Sequence, residues 1–373
     1  MKHIFIKFSH FFYKNILRRI IFLFNSEDIH DFTTVFGELL GKFKLLRNLT
    51  RIFLDFENKN LSQKINGIYF KNPIGLAAGF DYQARLTQIL PSIGFGFETI
   101  GTITNKPYQG NPKPRLGRLV KSQSLLVNKG FKNQGIDRII KKLKGSSFNF
   151  PVGISIGKTN TTKKMTQNEA VEDVVTAFKK AEKTKVKFSY YELNISCPNL
   201  YGNVTFYPPE NLKELLQTVT DLKLSKPLFI KMPIEKSDGE VLDMLNVIAS
   251  FPVQGVIFGN LQKNRKEPNF NQEELKKYPV GNFSGKPTEK RSNELIKLAF
   301  QKYGEKFTII GCGGVFNGKD AYKKIKLGAS LIQLITGLVF EGPQLVSSIN
   351  YELSKMIKKD GFKHVSEAIG IDA

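Results

Sequence analysis

The sequence predicts an α/β protein: a (β/α)₈ TIM barrel carrying an N-terminal helical, membrane-associating extension. Three observations lead there. From residue 67 onward short β-rich runs alternate with helical stretches, the pattern of parallel strands joined by crossover helices. Eight such runs can be counted. That number favours a closed barrel, since an open doubly wound sheet has roughly five to seven strands. Residues 1–60 instead read as apolar and basic helices, so the chain divides into a membrane-associating segment, 1–60, and a barrel, 61–373.

The extension comes first in the chain. The first 24 residues are apolar and basic, but Lys7, Lys14, Arg18 and Arg19 interrupt every stretch that approaches the roughly 20 apolar residues of a membrane span. No uninterrupted apolar region leads to a small-residue cleavage site, which disfavours a signal peptide. At helical spacing Ile4, Phe5, Phe8, Phe11, Phe12, Ile16 and Leu23 share a broad face, and Lys7, Lys14 and Arg18 form a narrow basic strip. This is the pattern of an interfacial helix, with covering the bottom of the barrel as the structural alternative. A second helix is expected to start at Ser26, whose hydroxyl would cap the turn beginning at Glu27. A third apolar run covers Phe43 to Phe56.

The eight strand runs are IGLAAG (74–79), FETIGTI (97–103), VGISIG (152–157), YELNIS (191–196), LFIKM (228–232), GVIFGN (255–260), TIIGCGG (308–314) and LIQLITG (331–337). Amphipathic segments at 168–183, 209–222, 239–249, 290–302 and 318–326 lie between them. Two insertions, 104–132 and 261–285, follow the second and sixth runs and should rise over the C-terminal face, where barrel enzymes keep their chemistry.

Composition bounds the function. A chain of 373 residues with 41% hydrophobic content can bury a full barrel core. Its formal charge of +23 suits an anionic substrate, an anionic membrane or nucleic acid, although Lys, Asn, Ile and Phe are abundant throughout and Trp is absent. The basic residues are spread without a nucleic-acid-binding motif, so nucleic acid is not an expected partner. Two cysteines, Cys197 and Cys312, suggest neither a disulfide framework nor a metal site and fit a reducing, cytoplasm-facing location.

Polar and glycine residues concentrate at the C-terminal ends of the runs, where a packed barrel has no need of them. Gly311, Gly313, Gly314, Thr336 and Gly337 supply backbone N–H groups and a hydroxyl for an anion, as phosphate sites of barrels do, where the alternative is tight turns alone. Lys231 ends the fifth run in an apolar context, FIKMP, and a buried ammonium is costly unless it faces an anion or an electron-rich ring. Asn194, Ser196, Cys197 and Asn199 cluster in NISCPN. Their amides suit imide-like edges, and the thiol can act as a base if its pKa is lowered; a lone buried cysteine is otherwise a small hydrophobe.

Taken in order, these motifs resemble those of the dihydroorotate dehydrogenases. The matching segments are KNPIGLAAGFD (71–81), GTIT (101–104), GNPKPRL (110–116), NISCPN (194–199), SGKP (284–287), IIGCGGV (309–315) and GASLIQL (328–334). The extension with NSEDIHDFT (25–33) is similar to the membrane-associated, quinone-reducing class, in which a helical pair holds a hydrophobic tunnel to the flavin. The resemblance implies oxidation of dihydroorotate to orotate, an FMN cofactor, a membrane quinone as acceptor and peripheral attachment to the cytoplasmic face of the membrane. It implies that Ala78, Gly79, Thr102, Ser155, Asn194, Lys231, Gly259, Gly285, Gly313, Gly314, Thr336 and Gly337 serve the flavin. Asn128, Phe131, Asn194, Asn199 and Asn260 would hold the pyrimidine. Cys197 would take a proton from C5 while C6 delivers hydride.

Departures from the pattern fall at informative positions. Cys197 stands where quinone-reducing members usually have serine, as in the soluble class, and a thiol base suggests activity persisting to lower pH. Tyr82 replaces the lysine that follows GFD, and Asn128 is followed by Lys129 alone before Gly130 and Phe131, so that Lys129 is the residue available to replace the missing charge. Leu261 and Ile335 replace a hydroxyl residue and a tyrosine. Two alternatives accompany the reading. One is a related flavin barrel using another dihydropyrimidine or a soluble acceptor such as fumarate; the other is a non-catalytic basic barrel that binds nucleic acid.

Overall fold

The computed structural model describes residues 2–202 and 204–373. Each of the eight runs forms a strand: β1 (Ile74–Leu76), β2 (Phe97–Ile103), β3 (Val152–Ile156), β4 (Tyr190–Asn194), β5 (Leu228–Met232), β6 (Gly255–Phe258), β7 (Thr308–Cys312) and β8 (Leu331–Leu334). They pair in chain order, all parallel, and β8 returns to β1, so the sheet closes on itself. Strands covered on both faces need burial at every position, and β2 to β5 have it throughout. Helices Gln167–Lys183, Pro209–Thr220, Asp238–Ala249, Glu289–Tyr303 and Gly318–Lys326 form where amphipathic periodicity placed them. Two begin with a reciprocal cap, Thr166 with Glu169 and Ser237 with Glu240.

The lower barrel is filled by rings. Phe97, Tyr190 and Phe229 meet Phe70 of the hairpin formed by Gln63–Ile65 and Ile68–Phe70. Gly75 and Gly153 make room for them: an added Cβ would lie 2.3 Å from the Phe97 ring and 2.1 Å from the Tyr190 ring. With the barrel interior packed at that end, the large cavity lies at the C-terminal end. There the two insertions meet. Leu116–Leu119 and Ser124–Val127 form an antiparallel hairpin, and Asn282–Gly285, from the insertion after β6, pairs with its second strand.

The extension folds as α1 (Lys2–Phe12), a π-helical stretch Tyr13–Leu17, a short helix Arg18–Ile21, α2 (Ser26–Lys42) and α3 (Lys44–Leu54). A π turn adds a residue and shifts the helical phase after Phe12. Phe5, Phe8, Phe11, Phe12, Ile16 and Leu23 of the apolar face are nevertheless all exposed, whereas Ile6 and Tyr13, outside it, are buried; the side chain of Ile4 lies outside the described residues. Two members of the basic strip turn to the barrel instead of outward. Lys14 Nζ lies 2.9 Å from Glu341, and the Arg18 guanidinium donates to the Phe340 carbonyl at 3.2 Å. Nor does Ser26 cap α2. Asn25 does, its side-chain oxygen accepting from the N–H of Glu27 at 2.8 Å and of Asp28 at 3.4 Å, so Ser26 is the first helical residue. Phe32, Val35, Phe36 and Leu39 of α2 and Leu45, Leu49, Ile52 and Phe53 of α3 are exposed apolar residues. Among the described residues no helix is long and apolar enough to cross a membrane.

Candidate active site

A single cavity of about 680 Å³ runs from the strand ends to the N-terminal helices. Its inner wall comes from the barrel: Ala78 and Gly79 after β1, Thr102 in β2, Asn194, Cys197 and Asn199 at and after β4, and Lys231 in β5. Gly259 and Asn260 follow β6, and Gly285 closes the second insertion. Gly313, Gly314, Thr336 and Gly337 complete the wall after β7 and β8. The outer wall is apolar and includes Leu17, Ile21, Ile29, Phe36, Leu40 and Leu54 of the extension.

Hydrogen bonds orient the polar groups. The Asn194 amide donates to Thr102 Oγ1 at 2.8 Å, and Thr102 and Ser155 hydroxyls meet at 2.8 Å. Ser155 then donates to the buried Glu192 carboxylate at 2.7 Å, so Ser155 does not line the cavity but supports Thr102, which does. The Asn194 oxygen accepts from the N–H and hydroxyl of Ser196, at 3.1 and 2.8 Å, and Asn260 donates to the Ser196 carbonyl at 2.9 Å. Asn199 is held by Asn282, whose amide donates to its oxygen at 2.6 Å. At the other end of the cavity Ser284 and Thr336 hydroxyls lie 2.7 Å apart beside Gly285. Gly259 has φ +133° and a Cβ there would lie 2.0 Å from the Cys312 carbonyl, so only glycine lets β6 and β7 approach at this level.

Two ionisable groups define the electrostatics. Lys231 is only 4% exposed and has no hydrogen bond or ion pair among the described residues, leaving its ammonium to whatever occupies the cavity. Cys197 borders the cavity, and burial pushes its thiol up to about 12, opposed by the Asn199 backbone N–H and the Lys231 ammonium. The sequence reading allowed for a lowered thiol; desolvation at the strand end outweighs its cationic neighbour.

The loop after β2 departs from the sequence reading. Phe131, with φ +63°, lines the cavity, and its ring packs over Gly157 beside Thr102. Asn128, expected to hold substrate, is not on the cavity wall. Its oxygen accepts from Asn111 at 3.1 Å and its amide faces the Pro112 carbonyl, because neighbouring residues of this extended segment point to opposite sides. Lys129 takes the inward position. Tyr82 turns to α2: its hydroxyl donates to Asp31 at 3.1 Å and its ring stacks on His30 at 5.4 Å. The His30 hydrogen bond holds the Asp31 carboxyl far below its usual range. Arg118, also on the cavity wall, was not singled out from sequence. The alternation of Leu116 and Arg118, both lining residues, is the signal that could have found it. Leu261 and Ile335 also reach the cavity and give it apolar surface.

A closed parallel barrel with glycines, hydroxyls and a buried ammonium gathered around one cavity at its strand ends has the architecture of the barrel enzymes. The family model for dihydroorotate dehydrogenase matches residues 60–357, and the chain belongs to that family, whose members are flavin-dependent. It is 36% identical over 349 residues to a dihydroorotate dehydrogenase (quinone) of Christiangramia forsetii, covering 91% of this chain and 98% of the relative. It is 33% identical to the corresponding protein of a Nitratiruptor species, covering 95% and 98%. Among solved structures, a dihydroorotate dehydrogenase of Eimeria tenella in complex with ferulenol superposes with a TM-score of 0.82 at 26% identity, covering 93% of this chain and 96% of the other.

Proposed function

We propose that this protein oxidises (S)-dihydroorotate to orotate in the de novo biosynthesis of UMP, with FMN as its cofactor and a membrane quinone as final acceptor. The observation that carries this reading is the convergence of Cys197, the asparagine amides and the unpaired Lys231 on one cavity, which continues without a break between apolar N-terminal helices. The residues fit FMN: Gly313, Gly314, Thr336 and Gly337 offer backbone and hydroxyl donors to a phosphate, and Lys231 offers charge to an electron-accepting ring. Bound FMN supplies the hydride acceptor for C6 of the substrate.

The chain's own residues do the rest. Asn194, Asn199, Asn260 and Phe131 lie on the one cavity wall, and the amide donors and acceptors these asparagines have left suit the imide edges of the pyrimidine. Cys197 Sγ receives the C5 proton as the hydride leaves C6, which keeps charge from accumulating on either carbon. The chain Glu192, Ser155, Thr102 fixes Asn194, so the amide is oriented before substrate arrives. The apolar outer wall admits a quinone and excludes water from the site. Exposed apolar residues on α2 and α3 favour peripheral attachment, which we place at the cytoplasmic face of the membrane.

Steady-state formation of orotate with a short-chain quinone, compared with fumarate, tests the acceptor. Turnover with the quinone at least about tenfold above that with fumarate is expected. The reverse order would make this a soluble-acceptor enzyme.

A further inference from the structure

The cavity wall carries a second unpaired ammonium, and it belongs to a residue with no place in the reading above. Lys129 is 7% exposed and lines the cavity, two residues before Phe131. Its Nζ sits 4.2 Å from the centre of the Tyr82 ring, and it has no hydrogen bond or ion pair among the described residues. The nearest carboxylates are already engaged. Glu27 is taken by Lys132 at 2.6 Å and Arg115 at 3.2 Å, while Asp31 accepts from Tyr82 and lies 3.4 Å from His30. Burial, with the Lys132 ammonium beside it, pushes Lys129 down to about 7. A ring face compensates only part of such desolvation, so an anion entering the cavity recovers the remainder.

We infer that Lys129 is the cation that receives the carboxylate of the substrate and makes this site selective for an acidic pyrimidine over a neutral one. The inference rests on the proposed function above. Besides the phosphate, FMN and orotate bring a ring that becomes anionic on reduction and a carboxylate, and the cavity offers two buried lysines that make no ion pair among the described residues, Lys231 and Lys129. Position agrees with this. Lys129 shares its loop with Phe131, whose ring packs beside Thr102 at the strand ends. The backbone of that loop is pinned, Gly130 having φ +60° and its carbonyl accepting from the Asn160 amide at 3.1 Å, so the ammonium is presented from a fixed base. Tyr82, at the position where a lysine was expected, has turned its hydroxyl to α2 and instead gives Lys129 a ring to rest on.

The test compares orotate with uracil, which has the same ring edges and no carboxylate, by calorimetric titration of the flavin-loaded enzyme. Wild type should prefer orotate by about 10- to 100-fold, the range of one charge-assisted hydrogen bond. Lys129→Met should lose most of that preference by weakening orotate alone, and Lys129→Arg should restore part of it. Lys129→Gln, which keeps length and polarity, serves if the methionine variant folds poorly. Retention of the preference in the uncharged variants, or equal loss of both ligands, overturns the inference. So does an unchanged orotate affinity with a raised KM for quinone, which would assign Lys129 to the acceptor. Failure of wild type to bind orotate at all would instead refute the proposed function.

Discussion

We propose that the thiol of Cys197 sets the pH behaviour of this site. Its ordinary value near 8.5 is raised by burial to about 12, so the thiolate is a small fraction at neutral pH but a strong base once formed. Flavin reduction by dihydroorotate should therefore rise about tenfold per pH unit between roughly pH 6 and 9 without levelling. A plateau below pH 8 in rapid-mixing experiments would mean a thiol that ionises much more easily. Cys197→Ala should keep its flavin and slow reduction by at least about 100-fold, whereas Cys197→Ser should retain some turnover. An alanine variant reduced at the wild-type rate would remove the residue from the mechanism. The place of Cys197 on the cavity wall was legible from NISCPN, but the direction of its shift was not, because sequence names neighbours without saying how much water they exclude. The same holds for Asn128 and Lys129. Which of two adjacent residues faces inward depends on how the loop after β2 is pinned, and Asn111 and Asn160 do that from far away in sequence.

Elements were legible wherever one segment's pattern decides the outcome. Continuous apolar runs ending in glycine and polar residues placed all eight strands, and amphipathic periodicity placed the helices between them. Pairings between distant segments were not legible. The sheet joining Ser124–Val127 to Asn282–Gly285 links positions about 160 residues apart through backbone hydrogen bonds that leave no trace in composition. The phase shift at Tyr13–Leu17 was hidden for a related reason: Tyr13 donates its hydroxyl to the Val339 carbonyl, and that tertiary bond favours a turn which helical spacing alone does not predict. Asn25 outcompetes Ser26 as the cap of α2, and Asn25→Ala should lower stability by about 1 kcal/mol, read as a reduced melting temperature. An unaltered melting temperature would mean that tertiary packing alone fixes the start of that helix. For the extension, we propose that Phe8, Phe11, Leu23 and the exposed residues of α2 and α3 form the surface that meets lipid. Deletion of residues 1–24 should weaken binding to anionic vesicles, and equal binding by the truncated protein would move membrane attachment entirely to α2 and α3.

As a whole, the molecule joins a polar centre at the strand ends to an apolar passage between the N-terminal helices. We propose that residues 1–60 form the membrane-associating unit and residues 61–373 the FMN barrel, with the cavity between them serving both. The barrel end packed by Phe70, Phe97, Tyr190 and Phe229 leaves one mouth, and the extension narrows that mouth with apolar side chains. We propose that the charge of +23 assists on two counts, drawing an acidic substrate inward and an anionic membrane toward the extension. The proposed chemistry depends on dihydroorotate delivering hydride within the cavity, and anaerobic rapid mixing of the flavin-loaded protein with dihydroorotate measures that step without assuming an acceptor. Fast, saturable bleaching of the flavin absorbance is the predicted result; a flavin that stays oxidised at saturating dihydroorotate would contradict it.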